Sequence, residues 1–279
     1  MIFLSKWNKV NEELISAMYD DGMSGIKIGE ELNITHQQVY YILNKNDVKR
    51  RKNGQNWKKY TANYRFFETI DSEEKAYWLG FIAADGYVTK QNKVGITLST
   101  KDKSHLEKFK ESINATHPVS DYTGNTAYKN NTEYSKIIIT SKEMKHDLVR
   151  LGIVENKTLL LSFPLTDSEL LKHYIRGYVD GDGSISRTKS LGGNLYEYQL
   201  KVAGTKNFLE GILKFLNQSH QKLYKRNQDD KDNYYFSIGG NLQVEKILDS
   251  LYEDSNIYLD RKHQRYLDLK AQSSKVGIP

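Results

Sequence analysis

Two stretches of the sequence share one plan and decide the fold: AYWLGFIAADG at residues 76–86 and YIRGYVDGDG at residues 174–183. Each is an apolar, helix-like run in which two small residues lie four positions apart. These residues are Gly80 and Ala84 in the first run, and Gly177 and Gly181 in the second. Residues at i and i+4 lie on one face of a helix, and small side chains there allow two helices to approach closely. The two runs are therefore predicted to be helices that pack on one another.

Each run ends in Asp-Gly, so this packing should place Asp85 and Asp182 side by side at the two helix C-termini. The partial negative charge of a helix C-terminus disfavours Asp, and two adjacent carboxylates repel one another. A divalent cation would relieve both effects, and carboxylate and carbonyl oxygens suit magnesium. A metal-activated water could then attack a phosphodiester.

Two simpler interpretations of these motifs were considered. Either Asp-Gly taken alone favours an ordinary turn that ends a helix, but two copies on matching helices favour a shared site. A calcium loop at residues 180–184 fails the EF-hand pattern, because Ile185 stands where Gly is required and Leu191 where Glu is required.

The chain from about residue 70 to residue 270 is predicted to be an internal duplication. After each Asp-Gly the apolar pattern changes to the period of two that is typical of strands. Apolar positions of the two halves lie one hundred residues apart: Ile138, Met144, Leu148 and Leu151 correspond to Ile238, Val244, Leu248 and Leu251. The fold class is therefore α+β, with an αββαββα unit that occurs twice.

WLGFIAADG and IRGYVDGDG resemble the two signature motifs of the LAGLIDADG homing endonucleases, in the single-chain form with two motifs. The resemblance covers about 200 residues. It implies two pseudo-symmetric αββαββα repeats whose sheets form a saddle over DNA. It also implies magnesium-dependent cleavage of both strands across the minor groove of a long asymmetric site, with Ca²⁺ or Mn²⁺ as substitutes in binding.

The resemblance also implies the roles of individual residues. Asp85 and Asp182, the last acids of the motifs, would be catalytic metal ligands, and the backbone carbonyls of Ala84 and Gly181 would be further ligands. A lysine is expected near each metal site, namely Lys157 in the first half and Lys262 in the second, with Arg261 as an alternative to Lys262. The earlier acid of the motif is Asp180 in the second copy but Ala83 in the first, and this position is not a metal ligand in the family.

Residues 1–48 resemble a helix-turn-helix DNA-binding domain. Ser24 can cap a second helix, Gly29 is small where two helices meet, and Asn33 falls where the turn needs a left-handed backbone. Thr35 would cap the third helix. The residues expected to contact DNA are Thr35, His36, Gln37, Tyr40 and Tyr41. The alternative is a three-helix bundle that binds nothing.

Residues 49–69 are predicted to be a basic linker along the phosphate backbone or a solvated tether. Its expected DNA contacts are Lys49, Arg50, Arg51, Lys52, Lys58 and Lys59. The first repeat would then span residues 70–165, and the second, with a C-terminal tail, residues 166–279. Within the repeats the expected DNA contacts are Arg187, Lys201 and Arg226, together with Tyr122, Lys129, Tyr196 and Lys225.

Composition agrees with a nucleic-acid partner, since the 279 residues carry a net charge of +6 and 20 Tyr. The absence of Cys excludes disulfide scaffolds and thiolate metal sites and argues against an intein. No apolar run approaches the roughly 20 residues that span a bilayer, so a cytoplasmic protein is expected. The protein is also expected to be a monomer. The alternatives to a nuclease are a non-cleaving DNA-binding regulator and an RNA-splicing maturase on the same fold.

Overall fold

The computed structural model describes residues 9–20, 23–50, 60–124, 131–164, 168–190, 195–226 and 232–276. The chain divides into two compact units, residues 1–59 and 60–279. No helix in the described ranges is long and apolar enough to cross a membrane.

The first unit contains three helices: α1 (Lys9–Asp20), α2 (Gly25–Leu32) and α3 (His36–Lys45). Ser24 caps α2, and Asn33 ends it in the left-handed conformation with φ 53°, as predicted. A Cβ at Gly29 would lie 2.6 Å from the carbonyl oxygen of Ile34. Thr35 caps α3 and forms a reciprocal capping box with Gln38. The caps and the turn between α2 and α3 are therefore formed by the residues that predicted them.

A small apolar core holds these helices together, and two side chains differ from the prediction. Ile15, Ile28, Val39 and Leu43 are fully buried. The apolar pattern of residues 11–20 predicts that Leu14 and Ile15 share one helix face, but Leu14 is 45% exposed. Tyr40, predicted to be exposed, is half-buried and packs edge-on against Tyr19 with 6.4 Å between ring centroids.

The second unit contains the predicted duplication. The first repeat consists of α4 (Glu73–Asp85), β1 (Gly86–Val88), β2 (Lys93–Ser99), α5 (Lys103–Ser112), β3 (Ser120–Gly124), β4 (Thr132–Thr140) and α6 (Lys142–Arg150). The second consists of α7 (Ser168–Asp182), β5 (Gly183–Lys189), β6 (Tyr196–Gly204), α8 (Lys206–Phe215), β7 (Tyr224–Lys225), β8 (Tyr234–Gly239) and α9 (Asn241–Tyr252). Each repeat has the order αββαββα, and a further helix, α10 (Asp260–Val276), follows the second.

Each repeat forms an antiparallel four-stranded sheet, with orders β1-β2-β4-β3 and β5-β6-β8-β7. One face of each sheet packs with the helices into a shared apolar core. The opposite face of each sheet is called its outer face. Ile137 and Ile139 of β4 are fully buried, whereas Ile138 between them is half-buried on the outer face. The run of three isoleucines in the sequence predicts a buried strand, but successive side chains of a strand point to opposite faces, so only two of the three are buried.

Several boundaries differ from the sequence expectations. The sequence makes Asp71 a candidate N-cap of α4, but Ser72 caps the helix, since its side chain accepts a hydrogen bond from the backbone N–H of Lys75. Phe66 and Phe67, within the predicted linker, are buried in the core of the second unit. The predicted C-terminal tail is mostly the long helix α10. Its pattern of Tyr266, Leu269 and Ser273, all buried, could have identified it.

Candidate active site at the ends of two packed helices

Helices α4 and α7 pack through the small residues that the sequence singled out. A Cβ at Gly80 would overlap the backbone carbonyl of Tyr174, and a Cβ at Gly177 would overlap that of Tyr77. The two backbones are therefore in direct contact at both glycines, and no larger residue fits there without separating the helices.

The same packing brings the two helix C-termini together. A Cβ at Gly181 would overlap the Cβ of Ala84 and lie 3.4 Å from Oδ2 of Asp85. Asp85 and Asp182 are the last residues of α4 and α7, and each leads directly into an edge strand, β1 or β5. The structure thus places both acids at the junction of the two repeats, as the sequence predicted.

The two carboxylates influence one another. Burial, followed by the charge of Asp182, raises the pKa of Asp85 to about 6, against the positive charges of Lys262 and Lys157. Part of Asp182 reaches solvent. Loss of hydration where Asp182 contacts the protein nevertheless raises its pKa, although the positive charges of Lys157 and Lys262 oppose the rise. Two acids that resist joint ionisation are suited to share a cation.

Both predicted lysines reach this junction, although they belong to different types of helix. Lys157 begins a short 3₁₀ helix (Lys157–Leu159), is 8% exposed, and donates a hydrogen bond to the carbonyl of Ala84 at 2.9 Å. Lys262 belongs to α10, is 3% exposed, and donates to the carbonyls of Val179, Asp180, Gly181 and Gly183. Burial lowers the pKa of both amines, that of Lys262 to about 8.

The donor set suits a hard divalent cation. Asp85, Asp182 and the carbonyls of Ala84 and Gly181 supply only oxygen atoms, and a carbonyl that accepts one hydrogen bond keeps a second lone pair. Within the described ranges, no group of three or more His, Asp or Glu side chains forms a metal cluster. Any cation here would therefore depend on both repeats together.

A cavity of about 60 Å³ opens beside Asp182. Its polar lining includes Lys157, Asp182 and Arg226, and Ala83 lies on its wall. A volume of this size is sufficient for ordered water. The exposed Arg226, predicted to contact DNA, thus lies next to the acidic pair. Its positive charge partly offsets the rise that burial causes in the pKa of Asp182.

The outer face of each sheet carries a lysine placed over a stacked pair of tyrosines. In the first sheet, Lys136 lies 3.8 Å from the ring centre of Tyr122, which stacks on Tyr134. In the second, Lys201 lies 3.8 Å from the ring centre of Tyr235, which stacks on Tyr224. Sequence reasoning named Lys201 and Tyr122 but missed Lys136, although its place beside Ile137 in an alternating strand could have revealed it.

Arg187 and Tyr196 do not lie on this outer face. Arg187 pairs across the strands with the buried Tyr198, which puts it on the helix-packed side of the sheet. There it forms a 2.8 Å ion pair with Asp268 of α10 and covers the ring of Tyr196. Successive residues of a strand point to opposite faces, so the observed register decides which side chains share the face of Lys201.

Most of the remaining predicted DNA contacts belong to the first unit. His36, Gln37 and Tyr41 are exposed along α3, and Lys49 and Arg50 are exposed after it. Arg50 also lies over the ring of Tyr40. Arg51, Lys52, Lys58, Lys59 and Lys129 lie outside the described residues.

Residues 72–152 match the family model of the LAGLIDADG-like domain. The first repeat is therefore similar to a LAGLIDADG-like domain. The match covers the whole of the first repeat, from the cap of α4 to the end of α6. The second repeat has the same element order and supplies the second acidic motif.

Comparison with curated proteins gives one relative, the replication factor C small subunit of Methanocaldococcus jannaschii, which is 23% identical over 285 residues. The alignment covers 93% of this chain, and the chain spans 15% of that protein's length.

Among solved structures, meganuclease I-SmaMI bound to uncleaveable DNA is 14% identical, with a TM-score of 0.47; the match covers 73% of this chain and 89% of that one. The LAGLIDADG homing endonuclease I-GzeII in complex with its DNA target is also 14% identical, with a TM-score of 0.47, over 76% of this chain and 94% of that one.

Proposed function

We propose that this protein is a sequence-specific, divalent-metal-dependent endonuclease that hydrolyses phosphodiesters in both strands of a long asymmetric DNA site. The observation that carries the proposal is the junction of α4 and α7. Glycine packing there holds Asp85 and Asp182 together where each helix leads into an edge strand. The LAGLIDADG-like domain over residues 72–152 supports the same activity.

In this mechanism the chain's own residues bind and orient the reacting groups. Asp85 and Asp182, with the carbonyls of Ala84 and Gly181, would hold magnesium, and Ca²⁺ or Mn²⁺ could replace it in binding. When bound, such a cation supplies Lewis acidity and lowers the pKa of a coordinated water. The ammonium groups of Lys157 and Lys262, already fixed at the junction, would stabilise negative charge that develops on the phosphate.

The two outer sheet faces are the proposed DNA-binding surface of the second unit. Each presents a lysine over stacked tyrosines, which combines charge for phosphates with aromatic rings for sugars and bases. The exposed residues of α3 are the proposed contacts of the first unit, with Thr35 at the helix start. Two anchored units would favour a long site, because the first contact raises the effective concentration of the second.

The test uses DNA from the protein's own genomic neighbourhood, first with Mg²⁺ and then with Ca²⁺. We expect double-strand cleavage with Mg²⁺, and binding without cleavage with Ca²⁺. Asp85→Asn and Asp182→Asn should each abolish cutting while leaving the affinity measured in Ca²⁺ within about threefold of wild type.

Asp254→Asn is the matched control. Asp254 is exposed and has φ 56°, a left-handed conformation that Asn tolerates well. This variant should cut like the wild type. Specific DNA binding with no cleavage in any divalent metal would overturn the nuclease proposal in favour of a non-cleaving regulator.

A further inference from the structure

Asp180 is a fully buried carboxylate that connects three separate parts of the second unit. It accepts hydrogen bonds from the hydroxyl of Tyr77 on α4 at 2.8 Å and from the hydroxyl of Tyr252 at the end of α9. It also accepts the backbone N–H of Leu259, just before α10, at 2.8 Å. A buried carboxylate with this many donors fixes the segments that supply them, because releasing any donor would leave the charge less satisfied.

The segment that Asp180 fixes leads directly to Lys262. The N–H of Leu259 is bound by the Asp180 side chain, and the carbonyl of Leu259 accepts the backbone N–H of Lys262 at 3.0 Å. The Lys262 ammonium then returns to the end of α7, where the carbonyl of Asp180 is one of its four acceptors, at 2.6 Å. Asp180 thus binds the segment before α10 through its side chain and the ammonium group of Lys262 through its backbone carbonyl.

The first repeat has no equivalent of this arrangement. Ala83 stands at the position of Asp180, and Lys157 makes a single hydrogen bond to the end of α4 among the described contacts. Ala83 and Lys157 also line the cavity beside Asp182, whereas the four carbonyls around Lys262 enclose its ammonium group. Lys262 is held by a buried network, whereas Lys157 has one hydrogen bond from its ammonium group among the described contacts.

We propose that Asp180 is a positioning residue that fixes Lys262 at the end of α7 and thereby makes the two halves of the site unequal. Its part in catalysis rests on the proposed nuclease function, but its effect on Lys262 does not. Removing Asp180 should release one lysine and impair one of the two strand cleavages, leaving the cleavage that depends on Lys157.

The first experiment measures lysine acylation of the full-length protein by mass spectrometry, with no DNA or metal present. Lys262 should be protected in the wild type and should react at least about tenfold faster in Asp180→Ala, because the local structure opens more often. Asp180→Asn should restore most of the protection, since an amide oxygen still accepts the Leu259 N–H.

The matched control is Asp249→Ala. Asp249 also connects α9 to α10, through the hydroxyl of Tyr266 at 2.7 Å and Lys270 at 3.0 Å, but it does not contact Lys262. Equal acylation of Lys262 in Asp180→Ala and wild type, or equal acceleration in Asp249→Ala, would overturn the proposal.

A milder pair of variants decides the question if Asp180→Ala does not fold. Tyr252→Phe removes one hydroxyl from Asp180, and Tyr266→Phe removes one from Asp249 in the same interface. We expect several-fold faster acylation of Lys262 in Tyr252→Phe only. No change in either variant, or the same change in both, would count against Asp180.

The second experiment measures cleavage of each strand of supercoiled DNA that carries the target site. Asp180→Ala and Lys262→Ala should each slow the same strand by at least about tenfold, accumulate nicked circles, and leave affinity in Ca²⁺ unchanged. The double variant should be no slower than Lys262→Ala, because the two residues act as one unit. Additive losses would refute the positioning role. A wild type that cuts nothing would refute the nuclease function alone, since acylation still tests Asp180.

Discussion

His105 of α5 shows how one buried side chain can make stability depend on pH. It is 1% exposed, and its Nε2 donates to the hydroxyl oxygen of Tyr77, because that hydroxyl gives its own proton to Asp180. In the described structure its Nδ1 has no hydrogen-bond partner. Burial, aided by the charge of Lys108, lowers the pKa of His105 to about 3.

We predict that His105 makes the folded protein less stable on mild acidification. The unfolded chain binds a proton at His105 below about pH 6.5 and the folded chain does not, so stability falls as pH drops from 6.5 towards 3. Between pH 7.5 and 5.5, wild type should lose about 1.3 kcal/mol more of its unfolding free energy than His105→Gln. Guanidinium unfolding of both proteins at both pH values measures the difference, and equal losses would contradict the prediction.

At the scale of elements, the crossing of α4 and α7 depends on backbone contact. The obstacle to a larger residue at Gly177 is the carbonyl of Tyr77, part of a helix backbone that cannot rotate away.

Gly177→Ala should therefore lower the unfolding free energy by about 3 kcal/mol or more, the upper part of the usual range for overpacking. Gly239→Ala is the control, because a Cβ at Gly239 meets nothing within 4 Å. The control should stay within about 0.5 kcal/mol of wild type in chemical unfolding. Similar stabilities for the two variants would mean that the helices can separate without cost.

The lysines over the tyrosine stacks give a prediction for the sheets. Lys136→Ala and Lys201→Ala should each weaken DNA binding and reduce the slope of log affinity against log salt by about 1, because each removes one phosphate contact. Lys246→Ala, an exposed lysine on the helix α9, is the matched control and should leave the slope unchanged. The measurement is a salt titration of binding in Ca²⁺, and an unchanged slope in both sheet variants would remove these faces from the proposed DNA-binding surface.

At the scale of the whole molecule, the two compact units have separate apolar cores. A protein that begins at Tyr60 keeps the whole core of the second unit, including Phe66 and Phe67. We predict that residues 60–279 fold, retain cleavage at saturating concentration, and bind the site at least about tenfold more weakly, because linked contacts are lost. Unfolding and binding curves for the shortened and full-length proteins test this prediction. Equal DNA affinity of the two proteins would show that the first unit has no role in binding.

Local signals predicted the helices, the caps at Ser24 and Thr35, and the left-handed turn at Asn33. These depend on neighbouring residues alone, so sequence suffices. The repeat of apolar positions at an offset of one hundred predicted the duplicated αββαββα unit. The face on which Arg187 lies was missed, because strand register depends on pairing with β6 and on packing against α10.

The sequence by itself determined that two glycine-bearing helices end in Asp85 and Asp182, because small residues at i and i+4 allow two helices to approach closely. It also determined that both helices belong to one duplicated fold, because the apolar positions recur at a fixed offset. Only the tertiary structure decided how the two lysines differ. Among the described contacts, the ammonium of Lys262 has four carbonyl acceptors because of where α10 begins and what Asp180 binds, whereas that of Lys157 has one, the carbonyl of Ala84. These contacts join residues about eighty positions apart, and no local pattern encodes such a distance.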